Sequence, residues 1–158
     1  MPINPKYFPI PNSGQVLEIH PSALGVLETF AGGDLESGGL LFGYFNLPRV
    51  ILDVATKPVS TEKRGPNSFE IDSSNASKEI KKQFKANRHF LGEWHSHPQV
   101  QPMPSTKDLR TIKDLFVKSN HELNAVVMII VGLSQTKPVL WVCLHNGEKT
   151  MPLFESEA

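Results

Sequence analysis

The spacing of hydrophobic residues changes several times along the chain, and each change predicts an element. Residues 15–20 (QVLEIH) alternate as a short strand. After Pro21 and Ser22, Leu24, Leu27 and Phe30 recur at helical spacing, and Gly32-Gly33 closes that helix. Residues 37–45 (SGGLLFGYF) form an apolar, glycine-bearing run that predicts a buried strand closely approached by other backbone. Residues 49–56 (RVILDVAT) predict its partner across the short turn Asn46-Leu47-Pro48. Residues 57–67 read as a polar loop and 68–71 as a brief strand. Residues 72–86 read as an amphipathic helix with Ile80 and Phe84 as its buried stripe. Residues 89–97 (HFLGEWHSH) predict a strand and 98–104 a proline-rich loop. Ser105 caps the next helix, whose apolar face is Leu109, Ile112, Leu115 and Phe116. Residues 125–132 and 139–145 predict two more strands, and 151–154 a last edge strand.

Hairpins interspersed with helices predict an α/β fold with a mixed β-sheet sandwiched by helices, not a purely parallel sheet. Residues 1–14, punctuated by proline, read as an irregular N-terminal arm. Residues 15–158 read as a single domain, of a size that buries a core without disulfides.

Composition narrows the chemistry. Lys+Arg and Asp+Glu are both 16, so the formal net charge is zero. Lys78, Lys81, Lys82, Lys85 and Arg88 make one basic helix face, but neutrality argues against a broad nucleic-acid footprint and leaves a local acidic partner open. Cys143 is the only cysteine. An internal disulfide and a CxxC-type zinc site are both excluded, so any metal site must use nitrogen and oxygen ligands. No apolar run approaches the roughly 20 residues of a membrane span, and the N-terminus lacks the apolar core of a secretory signal. The expectation is a cytoplasmic protein that binds no membrane.

The informative segment is His95-Ser96-His97-Pro98 followed by Ser105-Thr106-Lys107-Asp108. On a strand, His95 and His97 project to one side and Ser96 to the other. On the first turn of a helix, residues three apart share a face, so Ser105 and Asp108 can look at both imidazoles. Two imidazoles and one carboxylate leave a fourth position open for water, the arrangement of a catalytic zinc site, although the same ligand types also serve iron and manganese. A hydrolytic site also needs a group that takes a proton from the attacking water and returns it to the leaving group. Glu36 and Glu93 are the candidates. Glu93 shares the ligand face and could instead be an acceptor orienting an imidazole. Spacing alone does not choose between them.

Glu36 with the following SGGLLFG, then GEWHSHP at 92–98, and Ser105-x-x-Asp108 resemble the JAB/MPN metalloprotease family with an intact JAMM motif. The resemblance runs from about residue 15 to 145. It implies that His95, His97 and Asp108 bind zinc, that Glu36 is the acid/base, and that Ser105 donates a hydrogen bond to the oxyanion. It implies a mixed sheet flanked by helices, similar to the cytidine-deaminase architecture. Members cleave isopeptide or peptide bonds at the C-terminus of ubiquitin-like proteins. The wording of the motifs is most similar to a bacterial stand-alone branch from integrative-and-conjugative-element and CBASS antiphage operons. There the expected substrate is a cGAS-like nucleotidyltransferase conjugated through its own C-terminus, and the expected partner an activating/conjugating enzyme. Processing of a ubiquitin-like sulfur carrier is the alternative reading, and a catalytically inactive MPN scaffold another. A zinc deaminase is excluded because it needs P-C-x-x-C, and a HExxH protease because that motif is absent.

Such a substrate delivers an extended C-terminal tail. The strand near 38–45 and the loop 57–67 are the candidates to pair with it by strand addition, with Phe69 a further contact.

Overall fold

In the computed structural model of the chain, the apolar run after Glu36 folds as a central strand. The structure describes residues 3–32, 36–58, 63–64, 69–70, 72–98, 103–118, 125–134 and 137–157. Strand β1 (Lys6–Pro9) and β2 (Val16–Ile19) precede helix α1 (Pro21–Thr29). Then come β3 (Gly38–Asn46), β4 (Arg49–Ala55) and the two-residue strands β5 (Lys63–Arg64) and β6 (Phe69–Glu70). Helix α2 (Ser73–Lys85) leads to β7 (His89–Ser96), and helix α3 (Thr106–Lys118) to β8 (Val126–Ser134). Strands β9 (Lys137–His145) and β10 (Thr150–Leu153) end the order. The expected mixed α/β architecture is present.

The main sheet runs β1-β2-β4-β3-β7-β8-β9-β10, and β5 pairs with β6 in a separate two-stranded ribbon. The neighbours β2 and β4 are parallel, as are β7 and β8; the other pairs are antiparallel. Each parallel pair requires a crossover, and helices α1 and α3 lie within those crossovers. Alternation along the strands divides the core in two. Leu17, Leu41, Leu91, Trp94, Val127, Ile129 and Val131 pack with Ala23, Leu24 and Leu27 of α1. Val126, Met128, Ile130 and Cys143 pack on the other face with Ile112 of α3. The sheet is therefore sandwiched between these two helices.

Three expectations change. Residues 1–14 are not simply an irregular arm, because Lys6–Pro9 pairs antiparallel with Val16–Ile19 and buries Phe8. The intervening turn uses two left-handed residues, Asn12 (φ 59) and Gly14 (φ 69), so the prolines bracket the strand rather than abolish it. Ile80 and Phe84 are not a buried stripe. No residue of α2 is buried, and Phe84 is 68% exposed, because α2 touches the sheet chiefly at β7. Strand addition at 38–45 is closed, because β3 already has β4 on one edge and β7 on the other.

The outer edges of the main sheet also meet. Beyond β10, Ser156 bridges Tyr7 of β1, its N–H donating to the Tyr7 carbonyl at 2.8 Å. The ribbon β5–β6 lies within the segment expected to pair with substrate. The rest of that loop (59–62 and 65–68), the side chain of Phe69, the helix-closing Gly33 and residues 99–102 lie outside the described residues.

Candidate active site

His95 and His97 sit at the end of β7, on the α3 face. The register places His95 opposite Ile130 and Glu93 opposite Met128, both α3-facing residues of β8. A bulge sets this phase. Leu41 pairs with Gly92 and Phe42 with Phe90, so Leu91 is the extra residue. Leu91 and Trp94 can then both face α1 while Glu93 and His95 face α3. His97 lies just past the strand and is held by its N–H donating to the Val131 carbonyl at 2.8 Å.

Asp108 arrives from α3 through a reciprocal cap. Its N–H donates to Ser105 Oγ at 3.0 Å, and the Ser105 N–H donates to Asp108 Oδ2 at 2.9 Å. This S-x-x-D box satisfies two otherwise orphaned donors of the helix start and contributes about 1 kcal/mol. It also aims the carboxylate. Asp108 Oδ1 is 3.1 Å from His95 Nε2, and Oδ2 is 3.1 Å from His97 Nε2. The two Nε2 atoms are 3.2 Å apart. Ser105 is exposed beside this cluster, and capping uses its oxygen, which leaves the hydroxyl hydrogen free to donate.

Glu36 enters from the strand before β7 in the sheet order. Gly38 pairs with His95, and the Ser96 N–H donates to the Ser37 carbonyl, so Glu36 comes just before the point where the two segments meet. Glu36 is buried and offers an atom within 4.8 Å of atoms from both His95 and His97. Four of the expected site residues, Glu36, His95, His97 and Asp108, thus converge, with Ser105 at their edge. Glu93 lies on the same face but apart. It is half-buried, and among the described residues no hydrogen bond joins it to either imidazole.

The electrostatics follow from this packing. Burial pushes the Asp108 carboxyl up, but hydrogen bonds from His95 and His97 and the Ser105 N–H outweigh burial and hold it well below the usual range. Burial lowers His97, yet its bond to Asp108 and the nearby charge of Asp108 and Glu36 leave it raised. Burial raises Glu36, partly offset by the two imidazoles. Glu93 is pushed up to about 7 by burial.

The donor set suits a metal. Tetrahedral zinc ligands at about 2.0–2.1 Å from the ion stand about 3.3–3.4 Å from one another. The separations here are 3.1–3.2 Å between two ring nitrogens and two carboxylate oxygens. Glu36, also buried, offers a further oxygen within 4.8 Å of both imidazoles, so Glu36, His95 and His97 together form a cluster that could hold a metal ion.

Cys143 belongs to the same face, on the row of Glu93 and Met128, but not to the site. Its thiol is buried, and burial pushes it up to about 12. It is therefore expected to resist a disulfide-exchange reagent at pH 8 in the folded protein and to react fully after denaturation. Prompt reaction of the native protein, followed by thiol absorbance, would contradict this packing.

Ser96 is the residue that the sequence reading passed over. Alternation shows only that it points away from the imidazoles; the register with β3 shows where it points.

Residues 26–144 match the family described as prokaryotic homologs of the JAB domain. A Pseudomonas aeruginosa protein named CD-NTase/cGAS isopeptidase is 31% identical over 115 residues, covering 67% of this chain and 72% of that protein. Proteins of the same name from Enterobacter hormaechei subsp. hoffmannii and Escherichia coli are 28% and 27% identical, covering 68% and 61% of this chain. The matches cover only 61% and 62% of those two proteins, so the chain spans about three fifths of their length. The solution structure of a Desulfitobacterium hafniense protein shares the fold, with a TM-score of 0.63, 22% identity and 88% of each chain covered. By the extent of the family match, with the histidine and aspartate positions inside it, the chain belongs to the prokaryotic homologs of the JAB domain.

Proposed function

We propose that this protein is a zinc-dependent isopeptidase that releases a CD-NTase from a conjugate formed through the nucleotidyltransferase's C-terminus, in antiphage defence and in the cytoplasm. The observation that carries the reading is the convergence of Glu36, His95, His97 and Asp108 within the matched family region. The name that the three relatives share, CD-NTase/cGAS isopeptidase, supplies the substrate class.

His95, His97 and Asp108 would hold the ion. Bound there, zinc would supply Lewis acidity, which polarises a scissile carbonyl and acidifies an attacking water. Glu36 takes the proton from that water and delivers it to the leaving amine. Its burial favours this role, because a carboxyl raised toward the working pH exchanges protons more readily. The Ser105 hydroxyl donates to the developing oxyanion, a bond that strengthens in the transition state. Glu36 is preferred to Glu93 because it reaches both imidazoles. The ribbon β5–β6 is the remaining candidate to pair with the extended tail.

The test is incubation of the zinc-loaded protein with a CD-NTase joined through its C-terminus to an amine-bearing protein. Cleavage at the C-terminal residue is expected, with loss after stripping by a chelator and return on adding zinc. A zinc-loaded sample that cleaves no such conjugate, or a metal-free sample that cleaves as fast, would overturn the reading.

A further inference from the structure

Ser96 lies between the two imidazoles in sequence and faces the opposite way. Its N–H donates to the Ser37 carbonyl at 2.7 Å. In a regular antiparallel pair the facing residues exchange both N–H···O bonds. Here the counterpart differs: the Ser37 N–H donates to Ser96 Oγ at 2.9 Å. The same hydroxyl reaches back to the Ser37 carbonyl at 3.5 Å. A side chain thus takes the place of a ladder carbonyl at the residue next to Glu36. Both serines are buried, with Ser96 at 1% and Ser37 at 3% exposure, so water cannot readily stand in for the hydroxyl.

We infer that Ser96 is a positioning residue: its hydroxyl fixes Ser37, and through it places the Glu36 carboxylate beside His95 and His97. The inference rests on Glu36 being the acid/base. It assigns the two faces of one strand segment complementary tasks. His95 and His97 present nitrogen to the ion, while Ser96 between them reaches the neighbouring strand and holds the proton carrier. A misplacement of about 1 Å in a group that moves a proton costs roughly 10²-fold in rate.

The experiment compares Ser96→Ala and Ser96→Thr with the parent, each alone and combined with Glu36→Gln. Ser96→Ala is expected to lower kcat about 10²-fold with KM changed less than about twofold and zinc content unchanged. Ser96→Thr, which keeps the hydroxyl on a strand-compatible side chain, is expected to restore most of kcat. In the Glu36→Gln background Ser96→Ala is expected to cost almost nothing, because the group it positions is gone. By NMR, Ser96→Ala should speed amide exchange at Ser37 about tenfold or more and remove the contacts between the Glu36 side chain and the imidazole rings. The contacts between the two rings should persist. An undiminished kcat in Ser96→Ala, or a full loss that persists in the Glu36→Gln background, overturns the inference. If the parent cleaves no conjugate, the proposed activity falls on its own. Positioning is then decided by NMR alone, and Glu36-to-imidazole contacts surviving in Ser96→Ala refute it.

Discussion

Glu36→Gln is expected to bind zinc like the parent and to cleave about 10³-fold more slowly, whereas His97→Ala loses both zinc and cleavage. The two substitutions act on different parts of one cluster. Glutamine keeps the shape of Glu36 but cannot carry the proton, and positioned acid–base groups contribute about 10²–10⁴-fold. The donors that meet at 3.1–3.2 Å come from His95, His97 and Asp108, so Glu36→Gln leaves them intact. His97→Ala removes one ring nitrogen and takes the imidazole from Asp108 Oδ2, which then keeps the Ser105 N–H alone. A three-donor set reduced to two no longer holds zinc through dialysis. Metal content by mass spectrometry, read beside the cleavage rate of a defined conjugate, separates the cases. Should Glu36→Gln cleave normally while Glu93→Gln does not, the acid/base role passes to Glu93.

The second large effect is structural. Gly92→Ala is expected to lower stability by about 3 kcal/mol or more, which moves the urea midpoint by more than about 1 M. Gly92 has φ 155, a conformation side-chain-bearing residues rarely adopt, and a Cβ there would overlap the Val127 carbonyl oxygen. It also adjoins the bulge that places Glu93 and His95 on the α3 face. Gly25→Ala is the control. An added Cβ there meets nothing within 4 Å, and alanine in the middle of α1 should stabilise by about 0.5–1 kcal/mol. A Gly92→Ala protein as stable as the parent would show that β7 can pass β8 without this close approach.

Much of the candidate metal site was legible because its parts are local. His95 and His97 are two apart on a strand, and Ser105 and Asp108 are three apart at a helix start. Their relative directions therefore follow from backbone periodicity. Glu36 was a candidate alongside Glu93, and only the resemblance of its flanking SGGLLFG preferred it. It lies 59 residues from His95, and nothing in spacing specifies that β3 and β7 are neighbours or in which register. The α2 stripe misled because an i, i+4 apolar pair shows which face could be buried, not whether a partner covers it. The N-terminal arm misled in the opposite sense. A four-residue strand bracketed by prolines has almost no periodicity, and only pairing with β2 makes it a strand.

The sequence by itself determined the class of chemistry. One cysteine and a histidine pair followed by a capped aspartate leave nitrogen and oxygen donors on two elements of known direction. The tertiary structure decided which strand edges are taken, so that β3 cannot accept a substrate strand. It decided the bulge that sets the facing of β7, and the meeting of the segment before β3 with the end of β7, where Ser37 bonds Ser96 and Glu36 lies beside the imidazoles. The division has one physical cause. Side-chain direction within an element is set by local backbone geometry, whereas the register between distant strands is set by burial and hydrogen bonding summed over the whole sheet.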